Sequence, residues 1–236
     1  MNILLIETAT SVCSVALAQD ERIVARRQST DPNAHSTRLT VFIDEILREA
    51  AIKPHQVDAV CVSSGPGSYT GLRIGVSTAK GLCYALEKPL LSVPTLLSMA
   101  ALYYAQHPDY KGFVCPMIDA RRMECYTMIV DHDLNILRDT HADVFDSEDT
   151  SLLSPFDTHL EKNTVVFIGD GAAKTKPVFS SYPNARFDDH FSVAAEGMAT
   201  IALRKLQEGR VEDVAYFEPF YLKDFVAKKS VVHGLR

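Results

Sequence analysis

Ile3-Leu4-Leu5-Ile6-Glu7-Thr8-Ala9-Thr10-Ser11-Val12-Cys13-Ser14-Val15-Ala16-Leu17-Ala18 opens the chain with two apolar runs split by a polar turn. The runs read as strands over 3–7 and 12–18, and Gln19-Asp20-Glu21 turns the chain into a third strand over 22–26. Val12, Val15 and Leu17 break strict alternation, so the predicted sheet is covered on both faces. A polar loop follows, and then a helix opening at His35 or Ser36. There Leu39, Phe42, Ile43, Ile46, Leu47 and Ala50 recur at i, i+3, i+4, i+7, i+8 and i+11, an amphipathic stripe. Strand 57–63, helix 72–86, strand 90–93 and helix 95–105 complete an order βββαβαβα. Pro94 sits at the start of the last helix, where its missing N–H is harmless.

A similar pattern restarts near residue 113. The run 113–119 is apolar and ends in an acid, as 3–7 does, and 125–130 reads as its partner strand. Asp119 stands 112 residues after Glu7, and Asp131 stands 112 after Gln19. A later strand, 164–168, runs into Gly169-Asp170-Gly171-Ala172. Ser192 is placed to cap a helix reaching about residue 208, with Gly209 as its stop. No pattern places residues 138–160. The predicted organisation is α/β with two lobes, each opening with a β-meander: 1–106 as lobe I, 107–220 as a degenerate second copy and 221–236 as a basic tail. That is the layout of the actin, Hsp70 and sugar-kinase superfold, which is ribonuclease-H-like. Architecture alone does not fix function.

Composition narrows the classes. The 236 residues are 47% hydrophobic and 23% charged, ordinary globular usage. Lys plus Arg is 24 against 30 Asp plus Glu, a net charge of −6. Such a chain does not wrap nucleic acid unaided, although a local basic surface stays open. Five cysteines at 13, 61, 83, 115 and 125 form no C-x-x-C, and four lie in or beside apolar runs. They read as core residues of a reducing compartment, with Cys125 the least settled. The N-terminus lacks the basic region of a signal peptide. The longest uncharged stretch, 89–105, falls short of the ~20 residues of a membrane span and is split by Pro94. The expected location is cytoplasmic, away from membranes.

The string with the most unusual chemistry is Ser63-Ser64-Gly65-Pro66-Gly67-Ser68-Tyr69-Thr70-Gly71-Leu72-Arg73-Ile74-Gly75. It joins a strand to a helix, where backbone N–H groups can hold an anion. It lacks the Lys-Ser or Lys-Thr of a phosphate-binding loop, misses the dinucleotide spacing by one residue and is not a hydrolase nucleophile elbow. The spacing favours a tight turn and a helix packed closely through Gly71 and Gly75. The eight histidines form no H-x-x-x-H pair, so no metal site is expected. Glu7 and Asp119 each end the first strand of a lobe. In a two-lobed ATPase such acids face the cleft and organise Mg²⁺ and water. Neither following turn contains the glycine that a phosphate hairpin needs, and Thr8, Thr10 and Ser11 serve a plain strand-end turn equally well.

Several strings together resemble one family. Ile6-Glu7-Thr8 with Ser14-Val15-Ala16, His35-Ser36, Ser64 through Gly75 with Ala79-Lys80-Gly81, Asp119-Ala120-Arg121, Gly169-Asp170-Gly171-Ala172 and Pro219-Phe220-Tyr221-Leu222 are similar to the TsaB (YeaZ) family. The resemblance implies a bacterial subunit of the machinery that makes threonylcarbamoyladenosine at position 37 of tRNAs reading codons that begin with A. Its implied partners are TsaD, the catalytic transferase, and TsaE, an ATPase, while TsaC supplies threonylcarbamoyl-AMP. TsaD is a relative, and comparison with its motifs implies that this chain has lost the metal site. Ser11 stands where TsaD has a second acid, and Thr95 and Met99 stand where it has two imidazoles, for which they are poor substitutes.

The resemblance therefore implies a non-catalytic partner subunit with no cofactor and no catalytic residue. A transferase or kinase using ATP and a glycopeptidase-like hydrolase remain as alternatives. Docking on TsaD is expected through His35, Arg38 and Phe42 of the first lobe I helix, with Phe42 near a rim. The second helix and its approach supply Ser68, Tyr69, Thr70, Gly71, Leu72, Arg73, Gly75, Val76, Ala79 and Lys80. Its small residues would admit another helix, and the same face would serve self-association as a homodimer. Glu7, Thr8, Thr10, Ser11, Asp119, Gly169, Asp170 and Gly171 would line a vestigial nucleotide cleft. Lys223, Lys228, Lys229 and Arg236 of the tail are candidate tRNA contacts, acting within the complex.

Overall fold

A computed structural model describes residues 1–145 and 153–223. Lobe I runs β1 (Asn2–Glu7), β2 (Cys13–Gln19), β3 (Arg22–Ser29), α1 (Ala34–Thr37), α2 (Leu39–Glu49), β4 (Ala59–Ser63), α3 (Tyr69–Leu86), β5 (Leu90–Val93) and α4 (Thr95–Gln106). Its sheet has the order β3-β2-β1-β4-β5, with β1–β2 and β2–β3 antiparallel and β1–β4 and β4–β5 parallel. The second lobe runs β6 (Phe113–Asp119), β7 (Glu124–Val130), β8 (Ile136–Val144), α5 (Ser154–Lys162), β9 (Val165–Ile168), α6 (Ala172–Phe179), β10 (Ala185–Asp188) and α7 (Ala199–Gln207). Its sheet, β8-β7-β6-β9-β10, repeats the first strand for strand. Glu7 and Asp119 are the last residues of β1 and β6, so the 112-residue offset joins equivalent positions of the two sheets.

Both faces of the first sheet are covered. Leu4 and Ile6 of β1 turn toward α2 and α3, joining Ile46, Val76 and Ala79. Ile3 and Leu5 turn the other way and meet Ala195, Met198, Ala199 and Ala202. That second cover comes from the far end of the chain. In return, Leu96, Met99 and Tyr103 of α4 pack among Val114, Ile118 and Met128 of the second sheet. The lobes thus exchange helices. A division of the chain at residue 106 follows strand order, whereas the cores cross it: 95–106 packs with the second sheet and 195–203 with the first.

Three local expectations are corrected. The first helix is broken at Arg38, where φ is −117°. Ser36 and Thr37 each donate a side-chain hydrogen bond back to the Asn33 carbonyl, 3.0 Å in both cases, in competition with the helical ladder. Ser192 does not cap the last helix. Ser14 of β2 accepts the Ala195 N–H at 3.0 Å, and a 3-10 turn over Ala195–Met198 leads into α7. Gly209 does take the left-handed stop, with φ 67°. Phe42 is 4% exposed and belongs to the core, not to a rim. The unplaced stretch 138–160 supplies the end of β8 and most of α5. All five cysteines are buried free thiols, Cys125 among them.

Candidate functional site

The exit of β1 meets the glycine string at the start of α3. Gly67, Gly71 and Gly75 lie along one side, and a Cβ at any of them would overlap Ala9 or Thr8. Ser68 donates its backbone N–H to the Ala9 carbonyl at 2.6 Å, and its side chain caps α3 by accepting the Gly71 N–H at 3.3 Å. Gly65 takes φ 106°, donates its N–H to Thr95 Oγ1 at 3.1 Å and accepts the Thr95 N–H at 2.9 Å. The string is a packing junction for β1, α3 and α4. The small residues Gly71, Gly75 and Ala79 are buried within the chain, as are Leu72 and Val76, so none is free to admit a helix from another molecule.

Glu7 does not face a cleft. It is fully buried, and its Oε1 accepts the Ala9 N–H at 2.6 Å and the Ser63 hydroxyl at 2.9 Å. Among the described residues its Oε2 has no hydrogen-bond partner, nor has the neighbouring Thr8 hydroxyl. Desolvation pushes the Glu7 carboxyl up to about 7 against the pull of its hydrogen bonds. At β6 the matching acid behaves differently. Burial lifts the Asp119 carboxyl, but Lys174 and the Arg121 N–H outweigh it and hold it below the usual carboxylate range. Asp170 accepts the Asp119 N–H at 2.9 Å, and burial raises its carboxyl.

A cavity of about 540 Å³ does lie between the lobes. Thr10, Ser11, Gly169 and Asp170 line it together with Met99 and Phe191, while Glu7, Thr8, Asp119 and Gly171 do not. The fold suggests a nucleotide there, but the turns after Glu7 and Asp119 lack the glycine of a phosphate hairpin. A phosphate cradle presents free backbone N–H groups, and five N–H groups in and beside the two turns are instead spent within the chain. Ala9 N–H goes to Glu7, Val12 N–H to Thr10 Oγ1, Asp119 N–H to Asp170, Arg121 N–H to Asp119 and Gly171 N–H to the Met117 carbonyl. Met99 fills space against Gly169, where an added Cβ would lie 2.5 Å from the Met99 methyl. Thr95 and Met99 both act as packing residues. Among the described residues, no three His, Cys, Asp or Glu side chains gather as a metal site would need.

The exposed side of α3 carries Thr70, Arg73, Ser77, Gly81 and Tyr84, the last 84% exposed. Nothing lies within 4 Å of a Cβ on Gly81. Arg38 and Val41 are exposed on the adjoining helical segment, and the Arg38 guanidinium lies 5.3 Å from the Phe42 ring. His35 is half-buried, its Nε2 3.3 Å from the Val12 carbonyl. Sequence reasoning missed the strap that borders this face. After Gly209 the chain runs back along α3, and Lys80 Nζ donates to the carbonyls of Ala215 at 3.0 Å and Phe217 at 3.1 Å. Phe220 donates its N–H to the Ser64 carbonyl at 2.7 Å. Tyr221 packs against Tyr69 in a tilted arrangement with ring centres 4.8 Å apart, and Arg73 caps Tyr69 at 4.3 Å. The only hint in the sequence was Pro219-Phe220-Tyr221-Leu222. Of the tail residues, Lys223 pairs with Glu124, and Lys228, Lys229 and Arg236 lie outside the described residues. Among the described residues, no helix is long and apolar enough to cross a membrane.

Comparison with known proteins agrees with this architecture. The family model described as TsaD, tRNA N6-adenosine threonylcarbamoyltransferase, matches residues 28–234. The Escherichia coli tRNA threonylcarbamoyladenosine biosynthesis protein TsaB is 30% identical over 98% of both chains. The crystallised YeaZ from Pseudomonas aeruginosa superposes with a TM-score of 0.77 at 24% identity, covering 94% of this chain and 99% of that one. A hexokinase of the ROK group from Thermus thermophilus shares the two-lobed fold at a TM-score of 0.50 and 12% identity, over 89% of this chain and all of its own. With β-meanders opening both lobes and a near full-length match, the chain belongs to the TsaB family, a branch of the actin-like fold that the threonylcarbamoyltransferase model also spans.

Proposed function

We propose that this chain is a non-catalytic subunit in the synthesis of threonylcarbamoyladenosine at adenosine 37 of tRNAs reading codons that begin with A, and that it acts by pairing with TsaD. Membership of the TsaB family supports the pathway. The observation that carries the non-catalytic role is Glu7: the acid that would organise a cleft is turned into the core and bonded to its own turn. The docking surface is the exposed face of α2 and α3, bordered by the strap. The same face supports a homodimer that competes with the TsaD complex. TsaE joins through that complex, tRNA is held by the assembly, no cofactor is used and the compartment is the cytoplasm.

Calorimetric titration tests this reading. The chain is expected to bind purified TsaD and to show no heat with ATP and Mg²⁺. Threonylcarbamoyl transfer is expected from TsaD with this chain and from neither alone. Turnover by the isolated chain, as a transferase, kinase or peptidase, would overturn the proposal.

A further inference from the structure

The turn joining β6 to β7 carries two arginines in backbone conformations that other residues adopt more easily. Arg121 has φ 70° and Arg122 φ 47°, the left-handed region that Gly and Asn favour. The turn is held firmly. Glu124 donates its N–H to the Arg121 carbonyl at 3.2 Å, and Ala120 donates to the Glu124 carbonyl at 3.0 Å. Lys174 braces it by donating to the carbonyls of Arg122 at 2.8 Å and Glu124 at 2.6 Å. Arg121, Arg122 and Met123 are all exposed.

The neighbouring acids have other direct partners, although the charge of Arg121 also acts on Asp119. Asp119 pairs with Lys174, Glu124 pairs with Lys223, and Asp170 is engaged by the Asp119 N–H. Neither guanidinium has an ion pair or hydrogen bond with any described residue. The strap brings Lys223 to the same edge, and the Tyr126 hydroxyl lies within the field of both Lys223 and Arg121. Four cations therefore meet three carboxylates at one corner of an otherwise acidic chain, and the two unpaired cations project from the tip.

We propose that this tip, Arg121 and Arg122 with Lys223 beside them, contacts the phosphate backbone of an RNA helix. The inference rests on the reading of the chain as a tRNA-modification subunit and deepens it by placing a direct contact on the second lobe. A guanidinium is a planar fork that matches two phosphate oxygens, and two forks on a rigid turn match successive phosphates without reading sequence. A protein partner would require apolar surface at the centre of its contact. The turn itself offers Met123, with Val144 exposed across the ladder from Glu124, and no wider apolar patch among Arg121 to Met123.

The test is the salt dependence of binding to a fluorescent tRNA transcript, for the full chain alone and with TsaD. The variant is Arg121→Asn with Arg122→Gly, which suits the left-handed turn and so preserves folding. A second variant, Arg121→Lys with Arg122→Lys, preserves charge. The log–log salt slope is expected to fall by about 0.9 for each phosphate that the first variant leaves unneutralised, and to stay near wild type in the second. TsaD affinity, measured separately, is expected to be unchanged. An unaltered slope with TsaD binding intact overturns the inference and leaves the proposed function standing. Loss of TsaD binding in the first variant also overturns it, because the tip would then be a protein contact. If the wild-type chain does not bind TsaD, the proposed function fails. The chain alone then decides the inference: a reduced slope supports it, and no binding or an unchanged slope rejects it.

Discussion

The carbonyl oxygen of Thr8 occupies the space in which a side chain on Gly71 would begin. The opposing atom is backbone at a strand exit and cannot swing aside. Gly71→Ala is therefore expected to cost about 1–3 kcal/mol or more through forced displacement of β1 from α3. Gly81, on the same helix, faces open space. Gly81→Ala is expected to stabilise the chain by about 0.5–1 kcal/mol, because alanine is the better helix former. Denaturant unfolding of both variants checks the pair, and equal effects would mean that the glycine face is not the packing junction.

Glu7 makes stability depend on pH. Its carboxyl titrates near 4.5 in the unfolded chain and near 7 when folded. Between those values the folded state holds a proton that the unfolded state has released, so stability falls as pH rises. The contribution is fully present below about 4.5 and lost above about 7, a change on the order of 3 kcal/mol. Glu7→Gln mimics the protonated acid and should remove this slope, leaving the variant more stable than wild type at pH 8. Parallel unfolding curves for the two proteins across this range would refute the assignment.

Ser77 stands in the middle of the exposed face of α3. Ser77→Arg is expected to leave monomer stability within about 0.5 kcal/mol, as surface changes generally do. It should weaken TsaD binding by several kcal/mol if the residue is buried in the complex. Val76, one residue earlier, is 4% exposed and would report folding instead. Retained affinity for Ser77→Arg, measured by calorimetry, would move the docking surface elsewhere.

Lys80 ties the strap to α3. Lys80→Met keeps the apolar stem and removes the ammonium that serves Ala215 and Phe217. The expected cost is about 1–3 kcal/mol, the range for hydrogen bonds to a charged donor. Amide exchange should quicken over 213–220 before it changes in the sheets. Unchanged protection there would mean that the strap is held by its aromatic contacts alone.

Much of this is readable from the residues. Apolar runs ending in Glu7 and Asp119 locate both meanders, and the stripe from Leu39 to Ala50 locates α2. The glycine string is also legible as close packing, because glycines spaced by four fall on one side of a helix. What they pack against is not legible, since periodicity identifies a buried face without identifying its partner. Gly71 and Gly75 read equally well as a seat for another molecule's helix, and in fact meet Thr8. Glu7 reads as a cleft acid for a related reason: a strand-end acid has the same signature whether it points out or folds back on its own turn. The strap leaves little trace because it has no regular structure and is held through main-chain carbonyls, which every residue possesses.

The exchange of helices between the lobes sets an order of events during synthesis. The strands of the first sheet are complete by Val93, and α2 and α3 can cover one side at once. The other side, with Ile3, Leu5, Ala16 and Cys61, has no cover until residues 195–203 have left the ribosome. For the making of roughly another hundred residues, at about 5–20 per second, the nascent chain carries a bare apolar sheet face. The second lobe gains its α4 early and can close first. A chain interrupted between Asp188 and Ala195 is therefore a client for chaperones, even though it contains every strand of both sheets.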